Sequence, residues 1–99
     1  MMWIATIEFD LLLGDVHSLK QKRAVIRPLV AELRRKFTVA VAETGEADLH
    51  RRAGVGVAAV SADARHALEV IDAVERFVAE RPELELLSAR RRTFGTEDE

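Results

Sequence analysis

The sequence of 99 residues has no cysteine and no tyrosine, only two prolines, and one tryptophan beside four phenylalanines. Without cysteine there is no disulfide, no thiolate nucleophile and no cysteine metal ligand. No apolar run approaches the roughly 20 residues that a membrane-spanning helix needs. Glu8 and Asp10 interrupt the first apolar stretch and no basic segment precedes it, so no secretory leader is read there. The cytoplasm is the expected compartment, with no membrane partner. Nucleophile-elbow, P-loop and dinucleotide fingerprints are also missing. An enzyme reading therefore has no residue to rest on; no catalytic residue, cofactor, metal or small-molecule substrate is expected.

What is present is an ordinary globular composition: 48% hydrophobic and 32% charged residues, with a net charge of −2. The length is that of a single domain, read over 1–94, with 95–99 as a short acidic tail expected to be disordered. The net charge argues against a general nucleic-acid coat protein, but the signs are unevenly placed, which leaves room for a local basic patch.

That patch lies in 18–37, S-L-K-Q-K-R-A-V-I-R-P-L-V-A-E-L-R-R-K-F. Ser18 is a good N-cap, and Gln21 three residues on completes a capping box. Val25, Ile26, Leu29, Val30, Leu33 and Phe37 recur at helical steps and form one apolar face. Lys20, Arg23, Arg27 and Arg34 fall on the opposite side, as a stripe that is either simply solvated or turned to a phosphate or carboxylate partner. Lys22 projects toward the apolar face. The favoured reading is that its stem snorkels past the sheet; the alternative is a partner for its ammonium. Pro28 removes a backbone hydrogen bond inside the helical pattern, which predicts a kink or a break.

Around this helix, 3–13 alternates with period two, placing Trp3, Ala5, Ile7, Phe9 and Leu11 on one face and Ile4, Thr6, Glu8, Asp10 and Leu12 on the other. Residues 38–43 read as a second strand, 44–49 as a loop, and 53–60 as a third strand. A second helix starts at 61–63 and runs to about Glu80, with Ala67, Leu68, Ile71, Val74 and Val78 as its stripe and Pro82 as a stop signal. Residues 84–94 form a fourth strand. The order βαββαβ is that of a ferredoxin-like α+β fold, a four-stranded antiparallel sheet with two helices on one face.

The other face of the sheet stays open. Gly54, Gly56 and Ala58, beside Ile4 and Leu12, make a flat surface there that suits a protein partner or a homo-oligomer contact. RNA-binding domains of this topology stack bases on sheet aromatics, but Trp3 and Phe9 point toward the helices. Nucleic-acid contacts would then be phosphate-directed, through Lys20, Lys22, Arg23 and Arg27, with Arg34, Arg35 and Arg52 as additions. Alternation forbids Arg90, Arg91 and Arg92 from serving one ligand, and their charges guard an edge strand. Glu46, Asp48 and His50 are a weak metal signal, and His17 and His66 have no evident partner. The phosphate loop of acylphosphatases, which share this topology, is not found.

The chain resembles the YlxP-like family of small bacterial proteins with a domain of unknown function. The resemblance rests on Ser18-Leu19-Lys20-Gln21-Lys22-Arg23 with the R-P-L-V-A-E-L-R-R-K-F helix, Val41-Ala42-Glu43 with Gly45, Asp48-Leu49, Arg52-Ala53, Gly56-Val57-Ala58 and Val60-Ser61. Glu46-Ala47 departs from the polar pair expected there. The resemblance implies a ferredoxin-like fold and an association with translation, hence the ribosome or structured RNA as partner. It implies no catalytic residue.

Overall fold

Alternation along the first strand decides the layering. In the computed structural model, which describes residues 1–97, β1 spans Trp3–Leu13. Its odd-numbered side chains from Ala5 to Leu13 are buried, and its even-numbered ones are half-buried on the opposite face. The remaining elements are α1 (Leu19–Lys36), β2 (Ala40–Gly45), β3 (Arg52–Ser61), α2 (Ala64–Ala79) and β4 (Leu84–Gly95). The strands lie in the order β2-β3-β1-β4 and every neighbouring pair is antiparallel. This is the ferredoxin-like arrangement. Helix α2 packs over β1, β3 and β4, while α1 packs over β2.

Between the sheet and the helices, Ile7, Phe9, Leu11 and Leu13 of β1 meet Val55 of β3, Ile26, Leu29 and Leu33 of α1, and Ile71, Val74 and Val78 of α2. Each such side chain contributes about 1.5–3 kcal/mol when fully withdrawn from water. Leu68, expected in the α2 stripe, is instead 38% exposed.

Helix α1 starts where its capping sequence puts it. The Ser18 hydroxyl accepts a hydrogen bond from Gln21 N–H at 3.1 Å. The reciprocal bond is displaced by one residue: the Gln21 side-chain oxygen accepts from His17 N–H at 2.6 Å rather than from the cap itself. The break expected at Pro28 does not occur, and the helix runs unbroken from Leu19 to Lys36. Pro28 and Ala24, whose carbonyl loses its usual donor, are both exposed. Water is thus available to that carbonyl, which limits the cost of the proline.

Two boundaries move. Thr44 and Gly45, expected in a loop, belong to β2, whose register against β3 shifts between Glu43 and Gly45. Strand β4 carries an irregularity opposite Asp10 and Leu11 and extends to Gly95. Thr96 N–H then donates to Met2 O at 2.9 Å, so the chain stays attached to the sheet past residue 95. The disorder expected for Asp98 and Glu99 lies outside the described residues.

Candidate functional site

Two surfaces carry the candidate residues. The first is the solvent side of α1. The helix holds seven basic side chains against one acid, Glu32, in a chain whose net charge is −2. Glu32 is engaged elsewhere, in an ion pair with Arg81. Lys20, Arg23, Arg27 and Arg35 are exposed and, among the described residues, have no ion-pair or hydrogen-bond partner for their charged groups. The first turn of α1 carries no acid, although acids are the favoured charge at a helix N-terminus and cations there oppose the helix dipole. Three other predicted contacts are already committed within the fold. Arg34 Nη2 donates to Val41 O at 2.7 Å. Arg52 holds Asp10 through two bonds, at 3.3 and 2.6 Å. Its hydrogen bond to the Asp10 carboxylate, reinforced by that group's charge, raises the Arg52 pKa above the ordinary arginine value despite partial desolvation.

Lys22 is the third, and it corrects the snorkelling expectation. Its residue is 3% exposed, within the same helix face as Ile26, Leu29 and Leu33. Its ammonium donates to Glu46 O at 2.7 Å and Leu49 O at 2.9 Å. Both carbonyls belong to the β2–β3 connection, where Glu46 adopts φ 61° and Leu49 N–H donates to Glu46 O. A buried ammonium is tolerable only with such partners. Lys22 therefore fastens this loop to the first turns of α1 and is unavailable to a phosphate.

The second surface is the open sheet face. Across its middle run Ala42, Gly56, Glu8 and Arg90 in register. Two of its acids are neutralised in place: Glu8 by Arg90 at 3.0 Å and Asp10 by Arg52. A shallow groove of about 410 Å³ crosses β1, β3 and β2, lined by Thr6, Glu8, Ala42, Thr44, Gly56 and Ala58 among others. The glycines have an internal reason. A Cβ at Gly56 would lie 2.7 Å from the Thr44 methyl, and one at Gly54 would lie 2.9 Å from both Thr44 Oγ1 and the Gly45 nitrogen. The close approach expected from a partner is thus made by the chain's own β2 at Gly54, which is buried. The proposed interface set separates accordingly. Gly56 and Ala58 floor the groove, Ile4 sits by Val60 and Phe94, and Leu12 sits by Arg52 and Glu85 at the other end.

Sequence reasoning missed Phe94. It lies opposite Ile4 on the open face, with the Arg92 guanidinium 5.1 Å from its ring centre. The pairing with an even-numbered β1 residue was the available signal. The arginine triplet divides as alternation requires: Arg90 reaches Glu8, while Arg91 turns to α2 and pairs with Asp72 at 2.6 Å and Glu75 at 2.9 Å. His17 has a partner after all, Asp15 at 2.9 Å, on an exposed turn. Glu46, Asp48 and His50 do not converge; among the described residues no three His, Asp or Glu side chains gather as a metal site. No helix among the described residues is long and apolar enough to cross a membrane.

Residues 4–91 match the family model described as protein of unknown function DUF503. The chain belongs to the DUF503 family. It is also 32% identical over 91 residues to the uncharacterized protein YlxP of Bacillus subtilis (strain 168), covering 92% of this chain and 99% of that protein. Among solved structures, the C-terminal domain LarC2 of a cyclometallase in the synthesis of the NPN cofactor of lactate racemase aligns with TM-score 0.50 at 11% identity, over 95% of this chain and 56% of that one. The cofactor-independent oxygenase SnoaB of Streptomyces nogalater aligns with TM-score 0.48 at 13% identity, over 98% and 95% of the two chains. At these identities the first likeness speaks to the fold alone and the second carries no argument.

Proposed function

We propose that this DUF503 protein is a non-enzymatic cytoplasmic module that holds structured RNA, as on the ribosome, through phosphate contacts of the outer face of α1. The observation that carries the reading is the unpaired state, among the described residues, of Lys20, Arg23, Arg27 and Arg35, beside sheet arginines at 52, 90 and 91 that are matched with carboxylates. Cations without internal partners can neutralise phosphates and release the counterions condensed on the RNA, which gives affinity with a steep salt dependence. The YlxP-like resemblance supports the same direction through its association with translation. Lys22 enters as the residue that holds the neighbouring loop, and Arg34 and Arg52 as donors with prior bonds.

The test is binding of the purified protein to ribosomal subunits and to a structured ribosomal RNA fragment across a salt series. Saturable binding that falls steeply with salt supports the reading. Absence of binding at low salt rejects it.

A second reading has its own observation: the open face pairs Glu8 and Asp10 with arginines and exposes Val60 by 61% beside Ile4 and Phe94. This suits a protein partner or a second copy better than it suits RNA. Light scattering at high protein concentration tests the second copy; a monomer throughout rejects that form of it.

A further inference from the structure

Strand β2 is an edge of the sheet, so one side of its backbone has no neighbouring strand. Such an edge is a template for another chain and is usually blunted by lysine, proline or a bulge. The segment Ala40–Val41–Ala42–Glu43 has no lysine and no proline, and the register shift of β2 lies beyond it, between Glu43 and Gly45. Its guard is Arg34, which comes from α1 to donate to Val41 O at 2.7 Å. Beside this edge runs a groove of about 360 Å³, walled by Arg27, Val30, Ala31 and Arg34 of α1 and by Ala42 and Glu43 of β2. The groove thus combines a strand edge, an apolar floor and two guanidiniums. Glu43, its one acid, makes no ion pair among the described residues.

We propose that this groove takes an extended peptide with acidic side chains, which adds to β2 as a fifth strand. Main-chain bonds to an exposed edge give affinity in this mode, and alternate side chains give selectivity. A peptide N–H takes over Val41 O from Arg34. The released guanidinium then meets a peptide carboxylate, with Arg27 further along the same wall. A second copy fits this edge less well, because it brings the arginines of two α1 helices against each other. The site shares Arg27 with the RNA reading but not Lys20 or Arg23, which do not line it.

The test is titration of the isotope-labelled full chain with acetyl-Val-Asp-Val-Asp-Val-amide and with the same peptide carrying Lys in place of Asp. The expected result is saturable movement of the Val41, Ala42 and Glu43 amide signals, about tenfold tighter for the acidic peptide. Arg34→Gln removes that preference, Glu43→Gln strengthens it, and Lys20→Gln/Arg23→Gln leaves it unchanged. Equal binding of both peptides, signals moving on the open face instead, or no movement at millimolar peptide overturns the proposal. Movement of β2 signals with protein concentration alone also overturns it, in favour of a second copy.

Discussion

The outer face of α1 and the open face of the sheet are both solvent-facing and both carry arginine, yet they differ in one respect. On the sheet, Arg52 and Arg90 are bonded to Asp10 and Glu8, so these charges are neutralised within the fold, and Arg92 lies over the Phe94 ring. On α1, Lys20, Arg23, Arg27 and Arg35 have no such partners among the described residues. Position explains part of this. Antiparallel register brings side chains of different strands within reach across the sheet, whereas the solvent side of a helix meets only its own turns. The helix had that option too, through acids four residues away, and its sequence does not use it before Glu32. A face left unneutralised where neutralisation was available is the better candidate for an anionic partner.

The comparison is broken most directly by charge reversal on α1. Lys20→Glu/Arg23→Glu lowers RNA affinity by on the order of a hundredfold at low salt, while the melting temperature stays close to that of the parent chain, because neither residue is buried. Next in size is Lys22→Met, which keeps the stem but removes both bonds to the loop. It destabilises by about 2–3 kcal/mol in denaturant unfolding, and hydrogen exchange accelerates through 46–51 ahead of the rest of the chain.

The sheet side is sharpened by Gly56→Val. Its new side chain meets the Thr44 methyl at the distance of a clash, at a cost of about 1–3 kcal/mol. Thr44→Ala in the same chain recovers most of that loss; no recovery rejects the account of these glycines. The smallest effect belongs to the neutralised pair. Asp10→Ala changes stability by about 0.2–1 kcal/mol, the range for partly exposed ion pairs, and leaves the salt dependence of RNA binding nearly as it was. A large change in that dependence would mean the freed Arg52 joins the RNA surface.

A titration adds a separate check near Pro82. A hydrogen bond from its own backbone N–H, and then the Arg81 guanidinium, lower the Glu83 pKa below its ordinary value of 4.5 against a partial desolvation. A lowered carboxyl contributes stability above its unfolded pKa and loses it as pH falls through the folded value. Glu83→Gln therefore flattens the acid limb of the stability profile below about pH 4.5, and an unaltered limb contradicts the assignment.

The layering was legible from β1 because period two with strong contrast has one reading, and the N-terminus of α1 because Ser18 is its N-cap, although the Gln21 side chain bonds to His17 rather than to the cap. Lys22 was not, because helical phase places a side chain on a face without saying what lies beneath it. The carbonyls of Glu46 and Leu49 come from a loop more than twenty residues away in sequence. At Gly54 and Gly56 the chain itself also makes a close approach that the sequence did not show, since the shift that turns Thr44 over them arises only in the pairing of β2 with β3. Pro28 misled because the penalty for an internal proline is smaller where the helix side is wet. Of the candidate site, the exposed stripe at 20, 23 and 27 survives as predicted in placement, and its partner stays a proposal.

The deciding measurement is the slope of log affinity against log salt for a structured ribosomal RNA fragment, compared between Lys20→Gln/Arg23→Gln and a charge-matched control, Arg65→Gln/Arg76→Gln, on exposed positions of α2. The account predicts that the α1 pair lowers the slope by about 2 and the α2 pair leaves it nearly unchanged. Equal losses from both pairs would show that only overall charge is being read, and would contradict a binding face on α1.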